Sequence, residues 1–178
     1  DGSRSRLQHA ALMGERLTPE QVAEYEALVA RRACREPLQH ITGSAPFYRL
    51  ELAVGPGVFV PRPETELLVE EALKVLAPRT DPATGQLRIV DLCTGSGAIA
   101  AAVKSELPNA QVFAVELSED AIPYTRKNLE PRGVHLVQGD ALTALPELSG
   151  TFDAVLSNPP YIPPANVPAA PEAALHDP

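Results

Sequence analysis

Asp91-Leu92-Cys93-Thr94-Gly95-Ser96-Gly97-Ala98-Ile99-Ala100 is the stretch whose reading decides the fold. The apolar run Leu87 to Leu92 ends in it, a Gly-rich turn occupies 95 to 97, and an alanine-rich segment from Ala98 to Leu107 follows, closed by Pro108-Asn109. Glycines at such a turn let the backbone reverse tightly after a strand and let a ligand approach the N-terminus of the next helix. Further along, Gln111 to Leu117 reads as the next strand, and Ser118 caps a helix whose first turn carries Glu119 and Asp120. Gly133 to Gln138 and Phe152 to Ser157 supply two more strands. Strand, helix, strand, helix, strand predicts an α/β fold with a parallel sheet covered by helices on both faces and ligands at the carboxyl ends of its strands.

Upstream of this unit the period changes. Thr18-Pro19-Glu20-Gln21 combines an N-cap threonine, a proline at the first helical position and a glutamine three residues after the cap, which together mark a helix start. Val22, Tyr25, Leu28, Val29 and Ala33 recur at helical spacing, with Arg31, Arg32 and Arg35 at the end where cations favour the helix dipole. Beyond Gly43, Leu50, Leu52 and Val54 alternate with Arg49, Glu51 and Ala53; Gly55-Pro56-Gly57 then precedes Val58-Phe59-Val60, and the pair reads as a hairpin turning at that Gly-Pro-Gly. A helix from about Glu64 to Ala77 follows, with Leu68, Val69, Ala72, Val75 and Leu76 on one face and Pro78 as its stop.

Composition narrows the classes. The 178 residues are 44% hydrophobic and 21% charged, which excludes wholesale disorder and a coiled coil, and the length gives one ordinary domain or one domain with a small appendage. No apolar run is long enough to cross a bilayer. A net charge of -8 repels polyanions and argues against direct nucleic-acid binding. Cys34 and Cys93 form no C-x-x-C motif, and the four histidines show no metal spacing, so no metal is expected. Absence of a disulfide framework suits a reducing compartment. The chain opens at Asp1 without a signal pattern, and a cytoplasmic protein lacking some N-terminal residues is expected. Prolines number 19, about twice the usual share; clusters at Pro56 to Pro63 and Pro159 to Pro171 read as shaped loops.

Two cofactor readings fit the glycine turn. Gly95, Gly97 and Ala100 with Glu116 satisfy a dinucleotide fingerprint. Glu116, at the end of the second strand, accepts from ribose hydroxyls in either reading. Asp91 favours the other: a carboxylate at the strand's end opposes a pyrophosphate but suits the amine of S-adenosylmethionine (AdoMet). Asp140, after the third strand, is placed to accept from an adenine amino group. Directly after the fourth strand comes Asn158-Pro159-Pro160-Tyr161. Its prolines remove two donors, leaving the Asn158 side-chain oxygen and the Pro159 carbonyl as acceptors for a planar NH2 group, with Tyr161 packing on its flat face. A nitrogen held in this way is aimed at a methyl group.

These residues carry a resemblance. Phe59-Val60-Pro61-Arg62-Pro63-Glu64-Thr65-Glu66, Asp91 to Gly97, Glu116 and Asn158 to Tyr161, with Glu36 to Gly43 upstream, resemble the release-factor glutamine methyltransferases of the PrmC/HemK family. Asn-Pro-Pro-Tyr is shared with methyltransferases acting on exocyclic adenine or cytosine amines, whereas the Pro-Arg-Pro-Glu-Thr-Glu block singles out the glutamine enzymes. The resemblance implies a Rossmann-like AdoMet-dependent methyltransferase sheet, seven-stranded in the family and incomplete here, preceded by a helical segment and a β-hairpin. Residues 1–45 would be a helical partner-recognition segment, 46–85 the hairpin linker and first core helix, and 86–178 the methyltransferase domain without its C-terminal strands. It further implies that Cys93, Thr94, Gly95, Ser96, Gly97, Glu116, Asp140 and Ala141, with Asp91 and Asn158, contact AdoMet. Asn158, Pro159, Pro160 and Tyr161 would hold the glutamine amide of the Gly-Gly-Gln loop of class 1 peptide-chain release factors, bound by a cytoplasmic monomer. Many members have glycine at Cys93, and some an aromatic residue at Ala141. The rival readings are a nucleic-acid amino methyltransferase, an AdoMet-binding scaffold without turnover and a nicotinamide-dependent oxidoreductase.

Overall fold

A computed structural model describes residues 8–80 and 86–161. The prolines beyond Tyr161 lie outside the described residues. By contact the chain divides into two units, 1–36 and 37–178.

In the first unit, residues 8–12 are helical and α1 spans Pro19–Ala33. Its start is the reciprocal cap expected from the sequence: Gln21 N donates to Thr18 Oγ1 at 3.3 Å and Thr18 N donates to Gln21 Oε1 at 2.9 Å. Beyond its last turn, the Arg31 guanidinium pairs with the Glu36 carboxylate and Arg32 donates to the Glu36 carbonyl. No residue of α1 is buried.

The second unit begins with α2 (Leu38–Thr42), which ends at Gly43 with φ 74°. The hairpin follows, but not where the alternation put it. Its strands are β1 (Ser44–Phe47) and β2 (Leu50–Ala53), antiparallel, with Ser44 opposite Ala53 and Phe47 opposite Leu50. Tyr48 and Arg49 make the turn, Tyr48 at φ 55°, and the Glu66 carboxylate accepts from Tyr48 N at 2.7 Å. Val58-Phe59-Val60, expected to be the second strand, is irregular. Val58 and Val60 are nevertheless buried, in a small cluster with Ala45, Val54 and Ala121 against Tyr124. Gly57 has φ 86°, and a Cβ there would lie 2.5 Å from Asp120 Cβ. That conformation packs the segment onto the following domain instead of pairing it with β2, and Pro61 and Pro63 cannot donate to a ladder.

Helix α3 (Glu66–Leu76) starts two residues later than expected, after a 3₁₀ turn at Pro63–Thr65. Then come β3 (Arg88–Leu92), α4 (Ala98–Glu106), β4 (Gln111–Glu116), α5 (Ile122–Leu129), β5 (His135–Gln138) and β6 (Ala154–Ser157). All four core strands are parallel in the order β5-β4-β3-β6. This is the sheet the sequence predicted, and its order reverses at β3. The chain leaves β3 toward β4 on one side and returns to β6 on the other, so the carboxyl ends of β3, β4 and β6 frame a crevice at the switch point. Residues Ala98 to Val103 of α4 are all buried, because alanine side chains let the helix lie close to the sheet between α3 and α5.

Candidate active site

A cavity of ≈450 Å³ opens at the carboxyl ends of these strands, within the size range of small-ligand sites. On one side it is lined by Cys93, Thr94, Gly95 and Ser96 after β3, by Glu116 at the end of β4 and by Asp140 and Ala141 after β5. Asn158, Pro159, Pro160 and Tyr161 after β6 close the other side, with Phe59, Pro61, Arg62 and Thr65 from the segment that follows the hairpin. Residues scattered through a hundred positions of sequence thus meet because four parallel strands end at one level.

Glu116 is 8% exposed and its orientation is set by the backbone. Gly95 N donates to Oε2 at 2.7 Å and Ser118 N donates to Oε1 at 2.8 Å. Each oxygen keeps a further lone pair for a ligand hydroxyl, so the carboxylate presents two acceptors in a fixed plane. Gly95 itself has only open space where a Cβ would point, which lets a ligand lie against the main chain. Asp140 holds a tight turn by accepting from Leu142 N at 2.8 Å through Oδ1. These features fit the ribose, the backbone-hugging chain and the adenine of AdoMet.

Asp91 is placed differently from the sequence expectation. It is 1% exposed and does not line the cavity. Its Oδ2 accepts from Thr94 Oγ1 and, at 3.2 Å, from Ala100 N, while Oδ1 has no partner. Gly97 occupies the N-cap of α4 and has no side chain to satisfy the first-turn amides, so the carboxylate at the end of β3 caps the helix from below through Ala100 N. Burial, the dominant effect, pushes its pKa up to about 7 even though Thr94 and Ala100 pull it back; Glu116 adds to the rise. Gly97 likewise stands behind the cavity wall, against Leu129. Cys93 is in the wall with φ 58°, a left-handed conformation that favours glycine over a residue with a side chain. Burial, with Glu116 and Asp91 nearby, pushes its thiol pKa up, so the group is a neutral wall element.

On the opposite side, Asn158 Nδ2 donates to Thr65 Oγ1 at 3.3 Å. That contact engages one of its two amide hydrogens and orients the side chain, with Oδ1 as its acceptor. Tyr161 stands at the rim, 79% exposed. The Arg62 guanidinium lies over the Phe59 ring at 5.0 Å, stiffening the neighbouring wall.

Sequence reasoning missed Thr125 and Asn128, which support the glycine turn from behind. Their signal was present: they fall on the same helical face as the buried Ile122 and Leu129, and a polar residue on such a face needs a buried partner. Among the described residues no group of His, Cys, Asp or Glu is arranged to hold a metal ion, and no helix is long and apolar enough to cross a membrane.

A methyltransferase-domain family model matches residues 89–175 and a PrmC N-terminal domain model matches residues 3–43. Over 159 residues the chain is 58% identical to the release factor glutamine methyltransferase of Streptomyces coelicolor, covering 88% of this chain and 55% of that protein. It is 44% identical over 150 residues to a 4-amino-L-phenylalanine/4-methylamino-L-phenylalanine methyltransferase of Streptomyces pristinaespiralis, covering 84% and 51%. The chain thus spans about half the length of these curated relatives. Among solved structures, the T. thermophilus 16S rRNA N2 G1207 methyltransferase in complex with AdoMet and guanosine superposes with a TM-score of 0.51 at 28% identity, over 66% of this chain and 32% of that one.

Proposed function

We propose, for a chain that belongs to the release factor glutamine methyltransferase family, that its site methylates the side-chain nitrogen of a glutamine in the Gly-Gly-Gln loop of a class 1 release factor. The observation that carries this reading is that one cavity gathers two sets of groups from strands on either side of β3. Glu116, held by Gly95 and Ser118, is on one side, and Asn158 with its free Oδ1 is on the other.

AdoMet supplies a methyl group on a sulfonium, an electrophile that needs a nucleophile aligned behind it. Cys93 to Ser96 form the wall against which the cofactor lies, Glu116 accepts from its ribose hydroxyls, and Asp140 and Ala141 border the adenine. Asn158 Oδ1 and the Pro159 carbonyl each accept one hydrogen of the substrate NH2, and Tyr161 packs on the flat amide. An amide nitrogen is a poor nucleophile because its lone pair is shared with the carbonyl. The two acceptors favour the pyramidal, increasingly positive nitrogen of the transition state, which is electrostatic preorganisation and requires no strong base. The N–CH3 bond would form as the S–CH3 bond breaks, leaving S-adenosylhomocysteine, and the cationic nitrogen, now acidic, would lose its proton to solvent.

The same reading makes the protein a cytoplasmic monomer without a nucleic-acid partner, a view supported by its net charge of -8. The relative that acts on 4-amino-L-phenylalanine motivates a second reading, a small aromatic amine as acceptor, since an aniline NH2 presents the same planar donors to Asn158 and Pro159.

Labelled AdoMet offered with release factor, its loop Gln→Ala variant, 4-amino-L-phenylalanine and DNA separates these possibilities. Label on intact release factor alone is the expected result; label on the aromatic amine or DNA would reassign the acceptor. Glu116→Ala should weaken AdoMet binding in calorimetry by about 1–3 kcal/mol, the cost of a charge-assisted hydrogen bond.

A further inference from the structure

Helix α5 buries a polar pair whose side chains bond main-chain groups, reaching the glycine turn and the hairpin. Thr125 is fully buried and Asn128 is 4% exposed. Thr125 Oγ1 has the Gly95 and Ala121 carbonyls within reach and shares its single hydrogen between them. Asn128 Nδ2 donates to the Ser96 carbonyl at 2.8 Å and to the Ala53 carbonyl at 2.9 Å, and its Oδ1 accepts from Ala53 N at 2.8 Å. Leu129 completes the support, lying 2.8 Å from where a Cβ of Gly97 would stand. Three residues of one helical face therefore back three consecutive residues of the glycine turn.

Asn128 differs from its neighbours because it also grips the hairpin. Both of its amide hydrogens and its carbonyl oxygen are engaged, so the position requires a side chain that donates twice and accepts once at this reach. A carboxylate would set negative charge against two carbonyl oxygens, and an apolar side chain would leave three backbone groups unpaired in a dry site. From Ala53 the chain continues into Gly57, Phe59, Pro61, Arg62 and Thr65, all of which line the cavity, and Thr65 there accepts from Asn158 Nδ2. Ser96, in the glycine turn, lines the same cavity.

We propose that Asn128 is a positioning residue that couples the glycine turn to the hairpin, so that a cofactor seated on the turn also orders the acceptor-side wall. The inference rests on the AdoMet reading above and not on the identity of the acceptor. Because coupling is reciprocal, cofactor binding should slow local opening at Ala53, and loosening the Asn128 contacts should weaken the cofactor by the same factor.

Amide exchange on the intact wild-type protein tests the first half. AdoMet should slow Ala53 N–H about tenfold or more beyond its effect on Leu107 N–H, which is bonded within α4 to the Val103 carbonyl at the far end of that helix. Calorimetry tests the second: Asn128→Asp should raise the AdoMet dissociation constant tenfold or more. Val69→Ala, a truncation at a fully buried position of α3, should destabilise the fold yet leave the constant within twofold. Ala53 exchange no more affected than Leu107, or wild-type affinity in Asn128→Asp, overturns the coupling. Should Asn128→Asp fail to fold, the wild-type exchange decides alone. A wild-type protein that binds no AdoMet overturns the cofactor reading itself and the coupling with it, whereas binding without selective slowing at Ala53 overturns the coupling only.

Discussion

At the level of single residues, Asn158 and Asp91 show how neighbours assign a role. Thr65 engages one of the two Asn158 amide hydrogens and orients the side chain, with Oδ1 as its acceptor, so the proposed bond strengthens as positive charge develops on the substrate nitrogen. Asn158→Ala should lower kcat about 100- to 1,000-fold, equivalent to about 2.7–4 kcal/mol for a lost preorganised group, with little change in AdoMet affinity. Asn158→Asp sharpens the test: a base mechanism retains activity with a new pH dependence, whereas preorganisation loses it because the donor to Thr65 is gone. Steady-state kinetics on both variants decide between these outcomes. Asp91 gives a different experiment. Its folded pKa, about 7, lies above the ordinary carboxylate value, so the folded state binds the extra proton between about pH 4 and 7. Its contribution to stability is therefore fully present below about pH 4 and is lost as pH rises through about 7. Urea unfolding measured across that window should show the decline in wild type and a flatter profile in Asp91→Asn. In that variant the side-chain oxygen still accepts from Thr94 and Ala100, and a neutral NH2 replaces the unpartnered Oδ1.

Elements depend on where a side chain is absent as much as on where one is present. Gly97 caps α4 at φ 84° and faces Leu129, 2.8 Å from a notional Cβ; Gly133 has a similar φ of 68° but open space around it. Both positions penalise an L side chain through the backbone, about 1–2 kcal/mol, and only Gly97 adds a collision with packed core, worth about 1–3 kcal/mol. Gly97→Ala should accordingly destabilise more than Gly133→Ala by that second amount, read as the difference between their urea midpoints at constant slope. Val58-Phe59-Val60 illustrates the converse. Its apolar residues are buried as the alternation suggested, yet no strand forms, because Gly57 turns the chain toward Asp120 and the prolines that follow remove donors.

For the whole molecule, the division after Glu36 separates a helical unit with no buried residue in α1 from the unit that contains the entire cavity lining. On the proposed reading the first unit serves recognition of the release factor. Removing residues 1–36 should raise KM for intact release factor at least tenfold while AdoMet affinity stays within twofold, as calorimetry and initial rates would show. Equal losses for both ligands would mean that the segment supports the core instead.

The parallel sheet, the reciprocal cap of α1 and the candidate site were legible in the sequence because each is specified locally. Hydrophobic periodicity sets strand and helix, a Thr-Pro-x-Gln pattern satisfies its own amides, and glycines and prolines state where the chain must turn. Even the meeting of Cys93 to Ser96, Glu116, Asp140 and Asn158 followed from one rule, that parallel strands deliver their carboxyl ends to one edge. What only the tertiary structure decided involves partners distant in sequence. Ala53 meets Asn128, the Tyr48 amide meets Glu66, and Asp91 turns under α4 because Gly97 cannot cap it. A buried polar group takes whichever complementary group packing brings within about 3 Å, and no local pattern along the chain records that choice.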